Sequence, residues 1–393
     1  MNEAKYCSEL SRCVKCGTCK SLCPTYLSSL NESMGARGRV AMLGELCSER
    51  LAPSRGMADR IFNCILCGAC KGLCPLGINI PEMIYHGRTL LKDSYRKGSL
   101  LSKAMRYSAS RMDTVFSILS GLQKILYRPL YKSGKLRYMP AITSHPFKSG
   151  IQVYKNTKKI GRVAIFTGCQ INYLYPHLGD ALVNILLTKR YEVIVFKGEV
   201  CCGAPMRGAG LEDEARAAAR KNIDTFKMTR AEAVISMCPT CTNTIRSEYP
   251  ELAGDTIPNI MDVNEFFIKN NITQGLKLPH EIVTYHDPCH ARYGMKMTRE
   301  PREILKSIKG VAFVEMKNAD ECCGFGGFFS MNYKDLSRSI GRKKFENINN
   351  THAGTVVTSC PGCVMQLEDM KRETGSDIKI KHIVEVVDEA MHG

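Results

Sequence analysis

From Arg162 onward, short β-branched runs alternate with longer amphipathic segments, the pattern of βαβ units on a parallel sheet. Val163–Thr167, Val193–Phe196, Ala233–Met237, Ile282–His286, Val311–Glu315 and Thr355–Thr358 read as strands. Leu178–Lys189, Glu212–Met228, Arg302–Ile308, Leu336–Asn349 and Val364–Thr374 read as helices. Upstream, Ala36–Cys47 reads as a helix. Leu100–Tyr127 has helical apolar spacing and predicts one or two helices leading into a loop, with Pro129, Pro140 and Pro146 interrupting any long helix.

The strand–helix order repeats, and cysteines repeat with it. Cys169 is followed after 31 residues by Cys201-Cys202-Gly203 and after 35 more by Cys238-Pro239-Thr240-Cys241. Cys289 is followed after 32 residues by Cys322-Cys323-Gly324 and after 36 more by Cys360-Pro361-Gly362-Cys363. Each copy sets its first Cys just after a strand and its Cys-Pro-x-Cys between a strand and a helix. The thiols therefore gather at the carboxyl ends of the strands, where open α/β sheets build their sites. Adjacent cysteines suit an object with several metal vertices better than one tetrahedral ion. The positive helix end beside Cys238 and Cys241, or Cys360 and Cys363, favours thiolate there.

Residues 1 to about 90 hold ten cysteines in two blocks. Cys13-x2-Cys16-x2-Cys19-x3-Cys23-Pro24 and Cys64-x2-Cys67-x2-Cys70-x3-Cys74-Pro75 both match the bacterial ferredoxin run for 4Fe–4S ligation. Three thiolates of one run cap three corners of a cubane, and the fourth comes from the other run. The expected sets are Cys13, Cys16, Cys19 and Cys74 for one cubane, and Cys64, Cys67, Cys70 and Cys23 for the other. Gly17 and Gly68 leave room for the backbone to fold over inorganic sulfur. Zinc also takes Cys-x2-Cys pairs, but two complete four-cysteine runs closed by Pro are less typical of it. Cys7 and Cys47 stand outside every motif and read as ordinary thiols.

At 393 residues the chain is long enough to bury cores without cross-links, so disulfides are a poor explanation for 20 cysteines. The N-terminus lacks a secretory pattern and no apolar stretch reaches a bilayer span, which predicts a cytoplasmic protein. The net charge of +17 is regional: Lys92 to Arg162 holds 16 Lys or Arg against Asp93 and Asp113. No zinc finger, helix-turn-helix or RNA-binding signature accompanies it, so nucleic acid is not expected. A partner protein or the cytoplasmic face of a membrane is the favoured counterpart, and a solvated surface is the plain alternative.

These motifs resemble the iron–sulfur subunits of glycolate oxidase and respiratory lactate dehydrogenases, and the cysteine-rich (CCG) domain of heterodisulfide reductases. Cys23-Pro24-Thr25-Tyr26, Gly35-Ala36-Arg37-Gly38-Arg39, Tyr285-His286-Asp287-Pro288-Cys289-His290 and Glu321-Cys322-Cys323-Gly324-Phe325-Gly326-Gly327 carry the likeness across nearly the whole chain except about 95–155. It implies one or two further, non-cubane 4Fe–4S clusters, on Cys169, Cys201, Cys202, Cys238 and Cys241 and on Cys289, Cys322, Cys323, Cys360 and Cys363. It also implies a separate FAD-containing dehydrogenase for lactate or glycolate, with a quinone, cytochrome or electron-transfer flavoprotein as acceptor; this chain has no flavin fingerprint. Both copies keep all five cysteines, which leaves disulfide reduction as the alternative. His286 and His290 flank Cys289 and are the candidates for proton or hydrogen-bond donation; the plain alternative is a structural role. The expected fold is multidomain α+β: a helical two-cluster domain (1–95), a basic helical or loop linker (96–160), and two Rossmann-like parallel-sheet cysteine-rich domains (161–275 and 276–393).

Overall fold

The computed structural model describes residues 3–95, 112–132, 137–150 and 152–392. Its N-terminal part is helical: Glu3–Ser11, Pro24–Ser29, Ala36–Cys47, Arg55–Phe62, Ala69–Leu73 and Ile80–Leu91. Tyr6, Leu10, Val40, Leu43, Ile61, Phe62 and Ile84 bury together between them. The approach is close. A Cβ on Gly87 would lie 2.6 Å from the Leu43 side chain, which is itself buried and would have to shift to make room.

Cys7 and Cys47 are not the free thiols that their isolation from every motif suggests, but a disulfide. Helices Glu3–Ser11 and Ala36–Cys47 pack side by side, bringing the two Cα atoms to 5.7 Å, within bridging range. A separation of 40 residues gives no local sign of that contact.

Of the stretch Leu100–Tyr127, residues 100–111 lie outside the described ones. From Met112 a single helix runs to Lys132 and contains Pro129, against the expectation that this proline interrupts it. Packing holds the helix: Phe116 stacks on Tyr173 at 4.0 Å, Ser120 Oγ donates to the Ile142 carbonyl, and Gln123 bonds both Pro140 and Ile142. Pro129 removes a backbone bond only near the helix end, where the loss is tolerable. Part of the basic excess is spent inside the molecule. Arg137 pairs with Asp369 at 2.6 Å, Lys148 donates to the Glu199 carbonyl, and Lys159 and Arg162 meet Glu192.

Two sheets follow. The first comprises β1 (Val153–Tyr154), β2 (Gly161–Phe166), β3 (Tyr191–Val195), β4 (Ala233–Ser236) and β5 (Ile260–Asp262), in the order β1-β3-β2-β4-β5. All are parallel except β1, which pairs antiparallel to β3. The second comprises β6 (Lys277–Tyr285), β7 (Lys309–Phe313), β8 (Thr355–Thr358) and β9 (Lys379–His382), all parallel, in the order β7-β6-β8-β9. Without β1 the two orders coincide, so the cysteine repeat is a repeat of fold. The molecule is thus mixed α+β, helical first and parallel-sheet α/β afterwards. The predicted strands and helices fall on observed ones with ends displaced by a few residues. β6 starts furthest upstream, past a register irregularity between Lys277 and Glu281.

The two copies exchange helices. Val263–Lys269 of the first packs on Arg299–Ser307 of the second, and Ile383–His392 of the second packs on Pro176–Thr188 of the first. Ile165, Leu182, Phe267, Val283, Tyr285, Ile304, Val357 and Val384 form one core through both. Reciprocal polar links close the seam: Asn264 Nδ2 donates to Ser359 Oγ (2.9 Å), and His382 Nε2 meets the Met237 carbonyl (3.0 Å).

Candidate metal centres

The two ferredoxin-type loops share one backbone path. Lys15 and Leu66 are left-handed (φ 57° and 63°), and Gly17 and Gly68 follow at φ 88° and 80°. Those turns curl three cysteines of each run inward. Cys13, Cys16, Cys19 and Cys74 line one void of about 400 Å³. Cys23, Cys64, Cys67 and Cys70 line another of about 400 Å³. Each void thus takes three thiols from one run and one from the other, the crossed set that a ferredoxin-type cubane uses. Burial, then the Cys13, Cys23 and Cys16 thiols, push Cys19 up to about 11. Cys70 is raised by burial and by Cys64, Cys23 and Cys19. Thiolates crowded like this need a cationic centre among them, and iron satisfies that need.

The arginines at the start of Ala36–Cys47 also border these voids, a placement that the sequence motifs alone do not announce. Arg37 borders the first void and Arg39 the second. Arg39 is 1% exposed and donates to the Arg60 carbonyl (2.8 Å), Thr25 Oγ1 (3.0 Å) and Asn63 Oδ1 (2.5 Å). The signal lies in the spacing: two cations two residues apart on one helix, beside a Cys-Pro turn.

In the repeat, Cys169 opens a helix after β2 and Cys289 opens the turn after β6. Gly203 and Gly324, at φ 93° and 87°, turn the chain sharply behind the adjacent cysteines. Cys238 and Cys360 are N-caps of helices Pro239–Ser247 and Pro361–Thr374, with Pro at the first position, where its missing N–H costs nothing. Cys241 and Cys363 lie one turn further in.

Both copies open on one cavity of about 1040 Å³. Cys169, Cys202, Cys238 and Cys241 line it from one side, and all five cysteines of the second copy from the other. Cys201 faces instead a cavity behind the first site, with Lys148, Lys197 and Lys221. Cys360 is hydrogen-bonded to Cys238 across the seam, which lowers its pKa. Ile65 and Leu66, from the second ferredoxin-type loop, also reach the shared cavity, and Cys67, raised chiefly by burial, is close enough to Cys289 to feel its charge. The four sites are therefore contiguous: Cys19 beside Cys23, Cys67 beside Cys289, Cys360 beside Cys238.

The two candidate histidines separate. His290 lines the cavity, with Nδ1 3.1 Å from Thr240 Oγ1 and 3.8 Å from Cys289 Sγ. His286 is wholly buried behind the cysteines.

Contiguous thiolate sites built on ferredoxin loops define an iron–sulfur electron-transfer protein. Comparison with known proteins agrees: the 4Fe-4S dicluster domain family matches residues 9–78, and the cysteine-rich (CCG) domain family matches residues 163–246 and 283–368. A subunit of the fumarate reductase (CoM/CoB) of Methanothermobacter marburgensis is 30% identical over 97% of this chain and 72% of its own. The probable glycolate oxidase iron–sulfur subunit of Bacillus subtilis is 28% identical over 97% and 94%. A subunit of the dihydromethanophenazine:CoB–CoM heterodisulfide reductase of Methanosarcina barkeri is 28% identical over 98% and 94%. A crystal structure of a hypothetical protein from Helicobacter pylori shares the fold, with a TM-score of 0.54 at 10% identity, covering 100% of this chain and 77% of the other. The chain belongs to the family of iron–sulfur subunits that join a 4Fe-4S dicluster domain to two cysteine-rich domains, and its relatives are oxidoreductase subunits.

Proposed function

We propose that this chain carries electrons from a partner FAD-containing dehydrogenase, acting on a 2-hydroxy acid such as lactate or glycolate, toward a quinone, cytochrome or electron-transfer flavoprotein. The observation that carries the reading is the contiguity of four thiol sites from the surface inward. Cys16 and Val14 expose the first site to a partner, while the cysteines lining the repeat's cavity lie buried or half-buried. When bound, iron–sulfur clusters accept and release single electrons at potentials set by burial and hydrogen bonds. The protein's own part is to hold the thiolates: Cys13, Cys16, Cys19 and Cys74 for one cubane, Cys23, Cys64, Cys67 and Cys70 for the other, and five cysteines of each repeat for two further clusters. Arg37 and Arg39 offset their charge. The proposed units are 1–95, 96–160, 161–275 and 276–393, and a protein partner or membrane surface is the proposed counterpart of the basic stretch. Among the described residues no helix is long and apolar enough to cross a membrane.

Two measurements test this. In anaerobically prepared protein, Cys74→Ser and Cys23→Ser should each remove about four irons with matching sulfide. The parent should co-purify with a flavoprotein whose hydroxy-acid substrate bleaches the iron–sulfur absorption. Material with zinc and no sulfide defeats the proposal.

The shared cavity supports a second reading, reduction of a disulfide held between the two repeats, since nine of their ten cysteines border it. The purified chain, reduced with a low-potential dye, decides: turnover of disulfides without a flavoprotein favours this reading over the first.

A further inference from the structure

His286 stands at the carboxyl end of β6, three residues before Cys289, and is 0% exposed. Among the described residues neither of its ring nitrogens has a nitrogen or oxygen partner. A nitrogen of this ring and the sulfurs of Cys323 and Cys363 all lie within 4.8 Å of one another, the two sulfurs 3.4 Å apart. A buried imidazole left wholly unpaired is costly, so its position calls for a partner on the cysteine side.

The same chain contains the comparison. Three residues before Cys169 stands Phe166, also fully buried, its ring 5.7 Å from Phe226. The matched CCG segments begin at 163 and 283, so Phe166 and His286 hold the same place in the two copies. One site has an aromatic hydrocarbon there, the other a hydrogen-bond donor.

We propose that His286 donates a ring N–H to sulfur at the second cysteine site and so makes the duplicated sites unequal, the second accepting an electron more readily than the first. An N–H directed at ligand or inorganic sulfur stabilises the more negative, reduced state and raises the potential. A neutral imidazole suffices, and no change of protonation is involved. Phe166 offers no such donor. The second site also adjoins Cys67 of the ferredoxin-type loop, so electrons arriving there would be retained before passing across Cys360 to Cys238. His286 is a positioning and tuning residue, not a catalytic one. The inference rests on the ligand sets of the proposed function.

The test is a redox titration of the anaerobically loaded chain followed by EPR. In His286→Phe, which installs the first copy's residue, iron and acid-labile sulfide should be unchanged while the midpoint of one cysteine-site signal falls and the others stay. His286→Gln, whose amide can donate, should recover part of the shift. Selective 15N-histidine labelling of the parent should give a nitrogen hyperfine coupling on that same signal, retained in His290→Gln. An unmoved midpoint in fully loaded His286→Phe overturns the inference. Should that variant fail to load, the labelling decides alone, and absence of histidine coupling overturns it. A parent without iron at the second site would defeat the ligand assignment, and this inference with it.

Discussion

Arg88 is the residue on which the junction between the ferredoxin-type part and the first cysteine-rich copy should depend most. Its guanidinium is 1% exposed, lies 5.2 Å from the Phe62 ring and has backbone carbonyls as its hydrogen-bond acceptors. Nη1 donates to Gly208 (2.6 Å), Nη2 to Phe62 (3.0 Å) and to Cys64, and Nε to Ile61 (3.4 Å). One side chain thus ties the start of the second cysteine run to the helix that follows Cys201-Cys202. Burial pulls its pKa below the usual arginine value, but a guanidinium stays charged at any working pH. Arg88→Met keeps most of the stem and removes every donor. A buried hydrogen bond from a charged group contributes about 1.5–3 kcal/mol, and each stranded carbonyl costs about 1–3 kcal/mol. Because these contacts are not additive, a net loss of about 3–5 kcal/mol is expected. At about 1.4 kcal/mol per decade, that is roughly a thousandfold rise in the open population of this junction. Hydrogen exchange under native conditions reads it locally: amides of Cys64–Gly68 and of Ala204–Gly210 should exchange faster together, with Arg88→Lys in between because a single ammonium cannot reach both sides. Unchanged exchange in both segments, or loosening of only one, would refute the argument.

Other consequences follow from single residues. Burial pushes the Asp262 carboxyl up to about 7, one oxygen bonded by Asn264 and the other, among the described residues, without a partner. A folded-state pKa above the unfolded value means the folded state holds the extra proton between about pH 4 and 7, so stability is lost as pH rises through that window. Asp262→Asn, which still caps its helix, should therefore gain up to about 4 kcal/mol over the parent at pH 8 and little at pH 4, read from urea midpoints; parallel curves would contradict this. Gly324→Ala places a Cβ 2.7 Å from the Ser337 carbonyl at φ 87°, costing about 1–3 kcal/mol in backbone alone, and should deplete iron at the second cysteine site; a fully loaded, equally stable variant would count against it. Cys47→Ser opens a cross-link spanning 40 residues and should lower resistance to proteolysis in the N-terminal part by about 4 kcal/mol without loss of iron, since among the described residues the linings of the two thiol voids do not include Cys7 or Cys47; iron loss would show the pair to be tied to a site.

Much of this is legible along the chain. β2, β3, β4 and β8 are buried on both faces, because helices cover both sides of a parallel sheet, and such runs announce themselves. β5 and β9 escape notice because each is a short edge strand whose half-exposed positions interrupt any apolar run. Pro129 misleads for a related reason: a helix held by Phe116, Ser120 and Gln123 tolerates a proline near its end that an isolated helix would not. His286 and His290 look equivalent in sequence, flanking one cysteine. The pleat and the turn after β6 send them to different places, one behind the thiols and one onto the cavity.

The sequence by itself determined the chemistry, because thiols that share one loop must stand at fixed short intervals. It determined the repeat for the same reason. Only the tertiary structure decided what lies beside what. Cys74 lines a void with Cys13, Cys16 and Cys19, Cys23 lines another with Cys64, Cys67 and Cys70, and these voids, the Cys7–Cys47 bridge, the carbonyl cage of Arg88, the helix exchange and the cavity facing both repeats all join residues tens to hundreds of positions apart. Such contacts are set by packing area and shape rather than by any local pattern.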